Sequence, residues 1–113
     1  MGVGVPLRLK QGVRIGGLRP EVVVALIVVE GIFREEQKDA IITSMTDGVH
    51  SRRSLHYSGA AFDCRIRHIP DSQDKWEWIT KRIQDALGVD FQVILERMGP
   101  HIHIEYQPIT GGR

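Results

Sequence analysis

Apolar residues recur with helical spacing between positions 71 and 88, and this is the clearest pattern in the chain. The apolar positions are Trp76, Ile79, Ile83, Ala86 and Leu87. They lie three or four residues apart for most of their length and so share one face of a helix. Asp71 or Ser72 can cap its start, and Gly88 is placed to end it. The segment is therefore predicted to form an amphipathic helix.

A second helix is predicted over residues 20–33. Pro20 suits the first helical position, and Glu21 complements the positive end of the helix dipole. The same segment is rich in valine, which is also typical of strands. A buried strand is therefore the alternative for these residues.

Alternation of apolar and polar residues predicts a half-buried strand after Gly59. One face carries Phe62, Cys64 and Ile66, and the other carries Ala61, Asp63, Arg65 and Arg67. Further strands are expected over residues 38–45, 91–95 and 101–106, the first of them ending at the turn residues Asp47 and Gly48. Together these elements predict an α+β domain in which helices flank a small, mainly antiparallel sheet.

Length and charge narrow the class of protein. The chain has 113 residues, enough for one domain over residues 1–113 with a single modest core. Glycines are frequent in residues 2–17 and at 111–112, so the core is predicted to span about residues 18–108 between loose ends. Fifteen lysines and arginines against 14 acids give a net charge of +1. This charge provides no strong positive potential to attract a nucleic acid, so nucleic-acid binding is not expected.

Cysteine content and the longest apolar run exclude further classes. Cys64 is the single cysteine, so an intramolecular disulfide and a cysteine-rich zinc site are excluded, and any metal needs histidine and carboxylate ligands. The apolar run at residues 22–29 is far shorter than the roughly 20 residues needed to cross a bilayer. No membrane insertion is expected. Residues 1–19 lack the apolar segment of a signal peptide, so synthesis in the cytoplasm without one is expected.

Two segments contain histidines and carboxylates that are suited to metal binding or catalysis. Strand alternation places His101, His103 and Glu105 on one face of the last strand. His56 and Asp63 precede them in the chain. A catalytic zinc ion takes about three protein ligands from histidine and carboxylate and keeps a position for water, and two histidines with one aspartate meet that need. Local alternatives are an ion pair of Asp63 with a neighbouring arginine and a purely structural loop histidine at position 56.

The arrangement His56-x-x-Gly59-x-Ala61-x-Asp63, preceded by Ser54 and followed by His101-x-His103, resembles a known signature. It is that of the zinc D-Ala-D-Ala carboxypeptidase family. This family includes phage endolysins and vancomycin-resistance dipeptidases and shares its fold with the hedgehog signalling domain. The resemblance covers about residues 39–107 and is closest to short phage-type members.

This resemblance implies a hedgehog/DD-peptidase-like fold and a Zn²⁺ ion held by His56, Asp63 and His103. A water bound to the zinc would be the nucleophile that hydrolyses an amide bond in a peptidoglycan peptide. A base upstream of the last ligand would take the water proton, and Glu96 is the candidate. His101 would stabilise the oxyanion or assist proton transfer.

The sequence departs from the family pattern in two places. Pro100 stands three residues before His103, where family members often carry an acid. The base is therefore open between Glu96, Glu105 and His101. The alternative roles of Glu105 are a hydrogen-bond acceptor that supports a zinc ligand and a surface residue.

The second departure is the absence of the arginine that binds the substrate carboxylate in the larger carboxypeptidases. Arg52 or Arg53 could replace it, because a guanidinium suits bidentate contact with a carboxylate. Ser54 is assigned with them to substrate binding and is expected to brace the His56 loop by hydrogen bonding.

Two other functions compete with a peptidase. The missing acid and the missing arginine favour a non-enzymatic metal-binding module of the same fold. A ferrous oxygenase is a weaker alternative, because its usual first ligand pair is closely spaced. If the protein is a peptidase, it is expected to act at the bacterial cell wall after release or delivery, for which a holin or a virion component is the expected partner.

Overall fold

Two helices and five strands form the part of the chain that the computed structural model describes, residues 7–13, 19–46 and 60–108. In chain order they are β1 (Leu7–Leu9), α1 (Pro20–Glu35), β2 (Ala40–Thr46), β3 (Ala61–Arg65), α2 (Lys75–Leu87), β4 (Phe91–Glu96) and β5 (His101–Tyr106). A short 3-10 turn, Ser72–Asp74, precedes α2. Among these residues, neither helix is long and apolar enough to span a membrane.

The strands form one sheet in the order β1-β2-β3-β5-β4. The pairing of β1 with β2 is parallel, and the three other pairings are antiparallel. Buried residues of both helices belong to the same core as the inward residues of the strands, including Phe62, Cys64, Ile102 and Ile104. The predicted α+β class with a small, mainly antiparallel sheet is confirmed. The finer hedgehog/DD-peptidase likeness stays a prediction.

Helix α1 follows the predicted segment and excludes the strand alternative for residues 20–33. Pro20 occupies its first turn with Glu21, as the sequence indicated. Its buried positions are Val22, Ala25, Leu26, Val29, Ile32 and Phe33. They recur three and four residues apart, so the valine-rich segment buries one helical face against the sheet despite its β-branched residues.

Strand β1 was not predicted and lies before residue 18, where the core was expected to begin. Leu7 pairs with Ala40 of β2, and the backbone N–H of Lys10 donates to the carbonyl of Ile42 at 2.8 Å. All three β1 side chains are exposed. The strand therefore joins the sheet through backbone hydrogen bonds rather than through buried side chains.

Neither predicted cap, Asp71 or Ser72, is the capping residue of helix α2, and Ser72 lies in the 3-10 turn instead. Asp74 is the capping position, and Asp71 instead reaches across the 3-10 turn, where its Oδ1 accepts a hydrogen bond from the backbone N–H of Trp76 at 3.0 Å. This contact satisfies one of the free amides of the first turn. Gly88 ends the helix at φ +86°, a left-handed conformation that favours glycine.

Strand β4 lies at the edge of the sheet, where the side chain of Gln84 covers part of its backbone. The Gln84 amide donates to the carbonyls of Phe91 at 2.8 Å and Gly88 at 3.0 Å. Its oxygen accepts from the N–H of Val93 at 3.1 Å. The bonds to Phe91 and Val93 occupy backbone groups at the edge of β4 that would otherwise be free to pair with another strand.

Candidate active site

Cross-strand pairing brings the polar side chains of three strands to one face of the sheet. Asp63 of β3 pairs with His103 of β5, and Glu96 of β4 pairs with His101 of β5. Glu105 lies two residues beyond His103 and so shares its face. Because directly paired residues point to the same side of a sheet, these five side chains lie opposite the helices. The predicted chemistry of β3 and β5 thus converges on one surface.

A bulge in β2 adds a residue that the sequence did not indicate. Ile42 pairs with Cys64, but Ser44 pairs with Asp63, so Thr43 is the extra residue of β2. The bulge turns Ser44 away from the face of Ile42, and its hydroxyl donates to Asp63 Oδ2 at 3.1 Å. Bulges commonly re-aim a side chain beside a functional site. Simple alternation would have placed Ser44 in the core.

His103 lies between two carboxylates. Its Nδ1 is 2.8 Å from Asp63 Oδ1, and its Nε2 is 3.0 Å from Glu105 Oε1. The hydrogen bond to Asp63 is the main reason that the pKa of His103 rises to about 9, with Glu105 adding to the rise and burial opposing it. In the metal-free protein at neutral pH, His103 is therefore an imidazolium that donates from both ring nitrogens.

Asp63 is held as a carboxylate. Burial alone would raise its pKa, but the hydrogen bond and charge of His103, the charge of His101 and the Ser44 hydroxyl lower the pKa below its ordinary value. The alternative of an ion pair with a neighbouring arginine is wrong for the described residues, because neither Arg65 nor Arg67 lies within salt-bridge distance of Asp63. Histidine and serine stabilise the charge instead.

His101 and Glu96 adjoin this pair. The carbonyl of Gly99 accepts a hydrogen bond from His101 Nδ1 at 2.8 Å. A carbonyl cannot donate, so this contact fixes the ring proton on Nδ1 and leaves Nε2, 4.0 Å from Asp63 Oδ2, without one in the neutral ring. The side chain of Glu96 is exposed and stands beside His101 in the pairing. Glu96 thus has open access to the face that carries Asp63.

The remaining predicted site residues, His56, Arg52, Arg53 and Ser54, lie outside the described residues. Within the described ranges, no group of three or more histidine, cysteine, aspartate or glutamate side chains is arranged to hold a metal ion. The structure therefore brings together two of the three predicted zinc ligands.

Asp63 and His103 are chemically suited to be two of the ligands of a zinc ion. Two donors about 2.0–2.2 Å from a tetrahedral zinc ion are about 3.3 Å apart, so the 2.8 Å between Asp63 Oδ1 and His103 Nδ1 would have to widen by roughly half an ångström. His103 would also lose its Nδ1 proton. His103 Nε2 would keep its proton and donate a hydrogen bond to Glu105 Oε1, which is the usual carboxylate support of a zinc-binding histidine.

The described residues thus define an α+β domain with a histidine and carboxylate cluster on the polar face of its sheet. A scan against protein-family models, a search of curated proteins and a search of solved structures each gave no match. Support for any function therefore comes from the residues of this cluster.

Proposed function

We propose that the protein is a zinc peptidase that hydrolyses an amide bond in peptidoglycan peptides. The observation that supports it best is the chain of contacts from Asp63 through His103 to Glu105 on one sheet face. Asp63 and His103 are the residues that the resemblance identifies as zinc ligands, and they are adjacent although 40 residues separate them in sequence.

His56, Asp63 and His103 would hold the zinc ion. When bound, zinc lowers the pKa of a coordinated water to about 7 and polarises the carbonyl of the scissile bond. Asp63 is ionised at neutral pH and needs no proton transfer to act as a ligand. Glu105 accepts a hydrogen bond from His103 Nε2 and so directs Nδ1 towards Asp63.

Glu96 is the better candidate for the general base. Glu105 is occupied by its hydrogen bond to His103 Nε2, whereas Glu96 is exposed beside His101. A base must reach both the attacking water and the leaving amine, which an exposed side chain on the open face can do. His101 donates its Nδ1–H to the carbonyl of Gly99. Its Nε2 is therefore the ring nitrogen that faces the reaction, and when this nitrogen carries a proton it would donate a hydrogen bond to the developing oxyanion.

Mass spectrometry of peptidoglycan digests tests this function. Walls of several types are incubated with zinc-loaded protein, with chelated protein and with the Glu96→Gln variant. New peptide ends that vanish with chelator, and that Glu96→Gln fails to produce while retaining zinc, are the expected result. The control is Asp85→Asn, which removes an exposed acid of α2 and should cleave normally.

Two results would contradict the proposal. The first is an Asp63→Ala variant that keeps both its zinc and its hydrolytic activity. The second is stoichiometric zinc without cleavage of any wall, with strong thermal destabilisation by chelator. The second result would favour the non-enzymatic metal-binding module, for which Pro100, in place of an acid three residues before His103, is the supporting observation.

A further inference from the structure

The two carboxylate oxygens of Asp63 have different neighbours. Oδ1 lies 2.8 Å from His103 Nδ1. Oδ2 accepts a hydrogen bond from the Ser44 hydroxyl at 3.1 Å and lies 4.0 Å from His101 Nε2. A metal ion shared with His103 would therefore meet Oδ1, while Oδ2 is already held by Ser44.

Ser44 reaches Asp63 because of the bulge in β2. The pairing passes from Ile42 opposite Cys64 to Ser44 opposite Asp63, and Thr43 is left over between them. A bulge interrupts the ladder and leaves its extra residue unpaired, so it weakens the local pairing. Ser44 itself is exposed, so the bulge buries no additional side chain at this position. What the bulge provides is a hydroxyl group on Asp63 Oδ2.

A single contact would not fix the orientation of this carboxylate. The last torsion of an aspartate side chain is broad and two-fold, so the carboxylate rotates readily. Carboxylates bind metal ions through one oxygen or through both. A hydrogen bond to the second oxygen opposes rotation of that oxygen towards the ion, and this bond is strengthened because its acceptor is charged. With both oxygens engaged, Asp63 presents Oδ1 towards His103.

The orientation of Asp63 matters for a catalytic zinc ion. Such an ion has three protein ligands and an open position in which water or substrate binds. If Asp63 bound through both oxygens, the second oxygen would compete with water for that position. The hydrogen bond from Ser44 opposes this second contact.

We propose that Ser44 is a positioning residue whose hydroxyl holds Asp63 Oδ2, so that Asp63 binds the metal through Oδ1 alone and the fourth position stays open for water. This inference rests on the zinc site of the proposed function and does not depend on which bond is cleaved. It gives the bulge in β2 a purpose at the site, because a regular strand would not turn Ser44 towards Asp63.

Cobalt substitution tests the proposal independently of catalysis. The full-length protein is treated with chelator and loaded with Co²⁺, and the visible absorption per bound ion is compared between wild type, Ser44→Ala and Ser44→Val. Co²⁺ takes the place of zinc and absorbs much more strongly with four ligands than with five, so the intensity reports the coordination number. The wild type is expected to give the intense four-coordinate spectrum. Both variants should lose most of that intensity, because the released Oδ2 becomes a fifth ligand.

Two further variants show whether the hydroxyl itself is responsible. Ser44→Thr has the shape of Ser44→Val with a hydroxyl in place of one methyl group, and it should retain the wild-type spectrum. Ser72→Ala is the matched control, because it removes an exposed serine hydroxyl in the 3-10 turn before α2. Thermal unfolding of each metal-free variant confirms that it is folded. A purely structural role of Ser44 would lower the unfolding midpoint of Ser44→Ala and leave its Co²⁺ spectrum unchanged.

The outcomes separate this inference from the function on which it rests. A wild-type spectrum in Ser44→Ala or Ser44→Val overturns the positioning role, even if peptidoglycan is cleaved. A loss of intensity that Ser44→Thr shares overturns it as well, because the hydroxyl is then not the cause. If Asp63→Ala binds Co²⁺ as the wild type does, the zinc site is misassigned, and both the inference and the proposed function fail. A loss that Ser44→Thr restores, in a protein that cleaves no wall, supports the positioning role and overturns the peptidase.

Discussion

His103 provides a quantitative test of the cluster in the metal-free protein. Its hydrogen bond to Asp63 at 2.8 Å, with the further bond to Glu105 at 3.0 Å, raises its pKa to about 9. In an unfolded chain the value is about 6.5. A group whose pKa is raised by folding stabilises the fold fully below its unfolded pKa, and this stabilisation is lost as the pH rises through about 9.

The size of this stabilisation follows from the pKa shift of His103 and from the exposure of its imidazole ring. The full shift corresponds to about 3 kcal/mol at about 1.4 kcal/mol per pH unit. The His103 side chain is 29% exposed, so solvent screening reduces the expected contribution to about 1–2 kcal/mol. His103 should therefore contribute about 1–2 kcal/mol to the free energy of unfolding at about pH 6, and this contribution should be absent above about pH 9.5.

Urea denaturation of chelator-treated protein measures this term as the difference between wild type and His103→Gln at each pH. Subtracting the variant cancels the titration of the groups that the two proteins share. The difference should fall by about 1–2 kcal/mol between about pH 6 and about pH 9.5, and it should shrink when both carry Asp63→Asn. A difference that stays constant over this range would refute the placement of His103 between two carboxylates.

Three further predictions concern other parts of the fold and site. Gln84→Ala removes two hydrogen bonds to the β4 edge and one to the carbonyl of Gly88. It should lower the free energy of unfolding by about 1–3 kcal/mol in urea titrations; an unchanged midpoint would contradict the covering role. Glu105→Gln should weaken zinc binding 10–100-fold by calorimetry, with Asp85→Asn as the unaffected control; equal affinities would contradict support of His103 by Glu105. Burial raises the pKa of Cys64 to about 12, so native protein at about pH 8 should resist iodoacetamide and react after unfolding; rapid native labelling would show that Cys64 is accessible.

The elements that the sequence predicted correctly are those whose side chains divide between a buried and an exposed face. Helix α2 buries Ile79 and Ile83, and β5 buries Ile102 and Ile104, so periodicity alone revealed both elements. Strand β1 exposes every side chain and is held by backbone pairing. Its alternation, Leu7-Arg8-Leu9, is only three residues long, which is too short to indicate a strand, so the parallel edge of the sheet could not be predicted from the side-chain pattern.

The candidate site likewise contains residues that could be predicted from the sequence and a residue that could not. Asp63 and His103 could be found because alternation along β3 and β5 places them on polar faces and because their chemistry suits a metal. Ser44 could not, since the bulge at Thr43 reverses the face that alternation assigns to it. The sequence indicated Arg65 and Arg67 as partners of Asp63, but the groups that stabilise this carboxylate are decided by the register between strands. His103 and Ser44 hold this carboxylate, and Arg65 and Arg67 form no salt bridge with it among the described residues.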